Sequence, residues 1–243
     1  MPDFAFLWDV LQKLVAGLPL LFQLVSISLA AGFVLAVLVA LMRLSPVPPL
    51  RWLASTYVFL FRGTPLLVQI FLIYYGLSQF VEIRGSALWP FLRQPYWCAI
   101  LALTLNTGAY GAEIIRGGIQ SVPWGQVEAA RVCGMSGFLL LRRIILPIAL
   151  RQALPAYCGE MILMVKATSL ASTITLLELT GIAHKIISET YRAIEVFVVA
   201  GALYLLINFL VTRATLAWEY WLSPHLRDAP ESARAVKTAD MVH

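Results

Sequence analysis

Charge is scarce in this sequence: only 13% of the 243 residues are Asp, Glu, Lys or Arg, against 60% hydrophobic. A soluble domain carries about 25% charged and about 45–50% apolar residues. A mean hydropathy of +0.81 therefore excludes an ordinary soluble protein and points to one integral membrane domain. Cysteine and histidine are equally sparse, with three of each. Cys98, Cys133 and Cys158 have neither disulfide nor metal-ligand spacing, and His184, His225 and His243 lie far apart, so no metal centre is expected. No G-x-x-x-x-G-K-[ST] phosphate loop occurs anywhere, so the chain does not hydrolyse ATP in the usual way. An intramembrane hydrolase would need a nucleophile beside a base, and no histidine stands near a serine or cysteine of the apolar runs. The net charge of +5 is not clustered as in a nucleic-acid binder. A cleavable leader is not expected either: Asp3 and Asp9 replace a basic start, and the apolar run after Lys13 is too long.

What is present is a series of charge-free windows. About 20 apolar residues cross a bilayer. Leu14–Met42 makes the first span, with Pro19 near its outer end, and Trp52–Val81, carrying Arg62 inside, makes the second. Gln94–Ala112 makes the third. The fourth, Gln152–Leu177, contains Glu160 and Lys166 and is expected to be interrupted at Pro155–Gly159. Val196–Thr212 closes the set. The fold class is thus all-α integral membrane with about five transmembrane helices. With the N-terminus outside and the C-terminus inside, twelve of the eighteen Lys and Arg residues fall on the cytoplasmic side, as the positive-inside rule requires. Residues 1–226 form one transmembrane domain, and 227–243 a polar cytoplasmic tail expected to be disordered, as termini commonly are.

Between the third and fourth spans lies "EAARVCGMSGFLLLRRIILP", Glu128 to Pro147, too charged to cross a membrane and too apolar for a plain linker. Pro123 suits the first turn of a helix. Gly134 and Gly137 bracket a turn, and "FLLLRRIIL" resumes as an amphipathic helix that Pro147 is expected to stop. Ala129, Ala130 and Gly134 offer little bulk, so another protein's surface could approach their backbone, with Glu128 available for pairing. The same pattern also fits an interfacial helix lying on lipid.

Ionisable and polar groups inside the spans are costly and usually face the bundle interior. Asn106, Tyr110, Glu113 and Gly117 share one helical stripe. Arg62 and Glu113, both near the cytoplasmic end, are expected to pair. Thr104 and Asn106, deeper in the membrane, and Thr168 and Ser169 either line a pathway or hydrogen-bond between helices.

Glu-Ala-Ala, three residues, Gly134, nine residues, Ile144, one residue, Leu146-Pro147 resembles the cytoplasmic coupling-loop signature of ABC importer permeases. "FRGTPLLVQ" from Phe61, "EIIRGGIQSVPWGQVEAA" from Glu113 and "KATSLAS" from Lys166 resemble the polar-amino-acid branch of that family. "LNTGAY" and "LPAYCGEMILM" are most similar to the permeases of histidine/lysine/arginine/ornithine and opine importers. The resemblance covers the chain from the first span to about Trp221. It implies a permease subunit of an ATP-driven importer in a bacterial inner membrane. Its implied partners are a second permease, two ATPases and a periplasmic binding protein. ATP and Mg would be bound by the ATPase, with no cofactor in this chain. Glu128, Ala129, Ala130, Gly134, Leu146 and Pro147 would then dock the ATPase.

The fourth span of such permeases contributes to the substrate pathway, and an acidic residue often follows the lysine. Here that position is Ala167, which leaves Glu160 as the anionic contact for a basic substrate. Asn106, Thr168 and Ser169 are then expected to donate hydrogen bonds to the substrate carboxylate. A secondary transporter or channel would also show polar intramembrane residues, but would usually carry more helices or paired repeats and would not need the coupling loop.

Overall fold

The computed structural model describes residues 4–222, and among these every regular element is helical. The polar tail from residue 227, His225 and His243 lie outside the described residues. The helices are α1 (Phe4–Val15), α2 (Leu18–Leu44), α3 (Pro48–Gly63), α4 (Leu66–Phe71), α5 (Val81–Arg84), α6 (Trp89–Leu92), α7 (Pro95–Gln120), α8 (Trp124–Val132), α9 (Gly137–Leu140), α10 (Leu146–Ala167), α11 (Leu179–Thr190) and α12 (Ala193–Leu222).

Among the described residues three helical stretches are long and apolar enough to cross a membrane: Phe4–Leu44, Pro95–Gln120 and Ala193–Tyr220. Two further stretches qualify only as bent pairs, Pro48–Gly63 with Leu66–Gln79 at 107° and Gly137–Ile174 with Leu179–Thr190 at 46°. The expected second span is therefore not one rod. It breaks at Thr64-Pro65, because a residue before proline is pushed out of the α region and Thr64 is extended, with φ −117° and ψ 144°. The fourth span differs in the opposite sense. Pro155 lies inside an unbroken α10, so the expected interruption at Pro155–Gly159 is absent. Nor does Pro147 stop a helix. It occupies the first turn of α10, and the chain enters that turn through a π-helical turn at Leu141–Ile145. Proline lacks an N–H and its ring clashes with the carbonyl four residues back. A wider turn just before it relieves both problems, so α9 runs on into α10. Helix α11 was not legible as a charge-free window. Glu178, the N-cap of α11, accepts from Gly181 N at 3.0 Å and so replaces a missing helical partner.

α7 sits at the centre. Its small residues let the neighbouring helices approach their backbones closely, as at many membrane helix interfaces. A Cβ on Gly118 would stand 2.7 Å from the Ala149 carbonyl oxygen of α10. One apolar cluster joins α2, α4, α7 and α10 through Leu24, Ile70, Leu103 and Met164. A second fastens α1, α11 and α12 through Val10, Leu14, Leu179 and Val196. A third packs Val39, Ala54, Val58 and Ala112 at the far end of α2, α3 and α7. Large apolar side chains such as Phe59, Leu205, Phe209 and Leu210 point outward, as they would towards lipid or another apolar surface.

Candidate functional site

The break between α3 and α4 is held by one side chain. Gln69 is almost fully buried, and its Nε2 donates to Phe61 O at 2.8 Å, Thr64 O at 3.0 Å and Thr64 Oγ1 at 2.9 Å. Its Oε1 accepts from Asn106 Nδ2 of α7 at 3.0 Å. α3, α4 and α7 therefore share one polar knot. Sequence reasoning missed Gln69, although a glutamine inside a run of leucines and isoleucines was the available signal.

Beside the knot opens a cavity of about 470 Å³. Thr64, Asn106, Thr107, Tyr110, Glu160, Lys166 and Ser169 supply its polar lining, and Leu103, Leu163, Met164 and Leu170 its apolar walls. Three of the four pathway residues chosen from the sequence, Asn106, Glu160 and Ser169, meet here. Thr168 does not: it is fully buried one position round the helix and donates to Val165 O at 2.7 Å. Thr104 lines a separate apolar groove with Leu88, Phe91 and Trp97. Glu160 is only 9% exposed, and among the described residues its carboxyl oxygens make no hydrogen bond or ion pair; Arg62 is the cation whose charge acts on it from a greater distance. A carboxyl group so placed in an apolar bundle is costly unless a cation or a hydrogen-bond donor satisfies it.

The expected donors are not donors here. Ser169 Oγ gives its hydrogen to Lys166 O at 2.7 Å, and Thr64 Oγ1 gives its hydrogen to Leu60 O at 2.7 Å. Asn106 Nδ2 is turned towards Gln69 Oε1 and, at 3.5 Å, Phe61 O. The lining thus offers acceptors and donors together: Lys166, the Tyr110 hydroxyl and the Thr107 hydroxyl, which is buried without a hydrogen-bond partner, can still donate.

At the cytoplasmic end, by the sequence reading, the pair expected between Arg62 and Glu113 is part of a larger cluster. Arg62 reaches Glu113 Oε2 at only 3.7 Å and lies over the Tyr110 ring at 5.3 Å. Arg116 grips both carboxylate oxygens, at 2.9 and 3.1 Å, and Arg43 of α2 contacts Oε1 directly. Glu113 is the shared anion of three arginines, which ties α2, α3 and α7 together. Arg43 was missed because it is remote in sequence from the stripe on α7.

Between α7 and α10 the chain forms the compact knob that the sequence marked. Helix α8 ends in a Schellman motif: Met135 N donates to Ala130 O at 3.0 Å and Gly134 N to Arg131 O at 2.9 Å. Gly134 has φ +78° and Gly137 φ +49°, the left-handed region that favours glycine. No atom crowds a Cβ built on Gly134, so the glycine is required by backbone conformation and not by crowding within this chain. Ala130 faces inward and is buried, unlike the expected open surface, whereas Glu128, Ala129 and Leu146 are exposed and Pro147 is half-buried. Trp124, Val132 and Phe138 are exposed on the same knob, at 69%, 88% and 73%. Among the described residues no group of three His, Cys, Asp or Glu side chains could hold a metal ion.

Residues 32–223 match the family described as "Binding-protein-dependent transport system inner membrane component". An octopine transport system permease protein of Rhizobium meliloti is 60% identical over 221 residues, 90% of each chain. A nopaline transport system permease protein of Agrobacterium fabrum is 56% identical, over 93% of this chain and 94% of that one. A histidine/lysine/arginine/ornithine transport system permease protein of Salmonella typhimurium is 44% identical, over 83% and 88%. Among solved structures, an amino acid ABC transporter with histidines superposes with a TM-score of 0.81 at 35% identity, over 90% of this chain and 98% of that one.

Proposed function

This chain belongs to the family of binding-protein-dependent transport system inner membrane components, and on that premise we propose that the Glu160 cavity is where it handles a cationic substrate. It is the non-catalytic permease subunit of an ABC importer for amino acids or opines, and ATP hydrolysis is the work of a partner ATPase. Its residues 1–226 serve as the permease domain, with the N-terminus outside, the C-terminus inside and five membrane crossings. Two permease chains, this one and a second kind, make the pathway; two ATPases drive it and a periplasmic binding protein delivers the substrate.

The single observation that carries the substrate reading is Glu160, a largely buried residue whose carboxyl group makes no hydrogen bond or ion pair to a described residue and lines a cavity of about 470 Å³. A guanidinium or ammonium group would satisfy it. Lys166 lines the same cavity and suits the carboxylate of the substrate. The names of the relatives, which include an arginine ABC transporter permease of Haemophilus influenzae, support a basic amino acid or an opine.

The knob carries the coupling. Glu128, Ala129 and Gly134, with the exposed Trp124, Val132 and Phe138, form a small rigid protrusion suited to a groove on the ATPase. Leu146 and Pro147 set where the protrusion joins α10. ATP-driven closure of the ATPases would move it and rock α7 and α10 together, a two-state element biased from both ends. Glu160→Gln tests the cavity. In proteoliposomes it should weaken uptake of a radiolabelled basic substrate while leaving basal ATP hydrolysis intact. Equal loss of both rates would make Glu160 a structural residue.

A further inference from the structure

Gln69 lies outside the cavity, yet the pattern of hydrogen bonds around it dictates what the cavity offers. The backbone carbonyls of Phe61 and Thr64 can only accept. The Gln69 amide that faces them at 2.8 and 3.0 Å must therefore present its Nε2. That leaves Oε1 as the Gln69 atom facing α7, so Asn106 must present its Nδ2 there, at 3.0 Å. The second Asn106 hydrogen turns to Phe61 O. Among the described residues the only free valence of Asn106 is Oδ1, an acceptor without a protein partner, on a residue that lines the cavity. Carbonyls that α3 leaves unpaired at the Thr64-Pro65 break thus settle, through two amides, the polarity of a side chain on another helix.

We propose that Gln69 is a positioning residue for substrate selectivity: by orienting Asn106 it makes the cavity meet its substrate with a hydrogen-bond acceptor, and so favours a cationic donor over a neutral isostere. This rests on the cavity being the substrate site. The glutamine cannot be swapped for an apolar residue of equal length without freeing the Asn106 amide to turn over and present its NH₂. A neutral side chain with a carbonyl of its own would then be accepted nearly as well as a cation.

Arginine and citrulline have nearly the same shape and differ in that respect. The assembled complex of this chain with its partner permease and ATPase is dialysed against radiolabelled arginine. Citrulline is the competitor, and neither nucleotide nor binding protein is present. The readout is the ratio of the two dissociation constants. Gln69→Met should lower that ratio about tenfold, the equivalent of ~1.4 kcal/mol. Repeating Gln69→Met in an Asn106→Leu background should lower the ratio no further, because the effect of Gln69 runs through the Asn106 amide; a residue that merely held the bend would lower it again. An unchanged ratio in Gln69→Met, or a further fall in the Asn106→Leu background, overturns the proposal. If Gln69→Met does not assemble, Asn106→Leu decides: it must lower the ratio, and an unchanged ratio overturns the proposal. Failure of the cavity reading looks different: the wild-type complex would bind no arginine, or Glu160→Gln and Asn106→Leu would bind it as the wild type does.

Discussion

Replacing Glu113 with alanine should damage the assembled complex more than replacing any one of the arginines around it. Glu113 is the only carboxylate contacting Arg43, Arg62 and Arg116 among the described ion pairs, and its side chain is 18% exposed. Breaking a fully buried pair costs ~3–5 kcal/mol, and an exposed pair is worth ~0–1 kcal/mol. Glu113 sits nearer the buried limit, and its loss also leaves three guanidinium groups facing one another. A cost of ~3 kcal/mol corresponds to a fall in melting temperature of about 6–12 °C for a chain of this size.

Arg62 is 43% exposed and 3.7 Å away, so Arg62→Ala should lie near the exposed limit, with a fall of a few degrees at most. The charge swap discriminates most sharply. If the two residues formed an isolated pair, Arg62→Glu with Glu113→Arg would restore the complex. In the observed cluster an arginine at 113 meets Arg43 and Arg116, so the double variant should melt no higher than Glu113→Ala. Thermal unfolding of the detergent-solubilised complex, followed by size-exclusion recovery, reads all three variants. A rescued double, or an Arg62→Ala as damaged as Glu113→Ala, would refute the shared-anion reading.

At Gly134 a Cβ meets no neighbour but must adopt φ +78°, which costs roughly 1–2 kcal/mol for a residue other than glycine and less for asparagine. Gly134→Ala should therefore lower ATP-driven uptake in proteoliposomes more than Gly134→Asn does, and equal rates would remove the left-handed elbow from the coupling argument. Glu178 is fully buried, caps α11 and accepts from Tyr204 Oη at 2.9 Å. Glu178→Ala leaves the Gly181 N–H without its cap, while the Tyr204 hydroxyl keeps Thr180 Oγ1 at 3.0 Å, and should cost ~1–3 kcal/mol, with Tyr204→Phe costing less, both visible as melting shifts; unchanged melting would mean that α11 does not depend on its cap. Thr168 lies outside the cavity and donates to Val165 O, so Thr168→Val should leave the KM for uptake unchanged, whereas Ser169→Val, inside the cavity, should raise it; the reverse order would put the wrong face of the helix in the pathway.

Much of this protein was settled by local sequence. Charge-free runs longer than a bilayer is thick can only be buried helices, whatever they pack against, so α2, α7 and α12 were legible as spans. The knob was legible for the same local reason: Gly134 and Gly137 mark left-handed backbone, and a Schellman turn closes within six residues of chain. Asn106, Glu160 and Ser169 were conspicuous as polar groups in apolar runs, and the structure brings them to one cavity. The tertiary structure decided whatever depended on a partner remote in sequence. Pro65 broke its helix by 107°, because the buried Gln69 satisfies the carbonyls that the break exposes, whereas Pro155 broke nothing. Arg43 joined Glu113 from another helix, which no spacing along α7 could reveal. Whether Asn106 donates or accepts was likewise undecided in the sequence, since an amide can do both. Its polarity follows from Gln69, and that of Gln69 from carbonyls on a third helix, so it exists only once the three helices are packed.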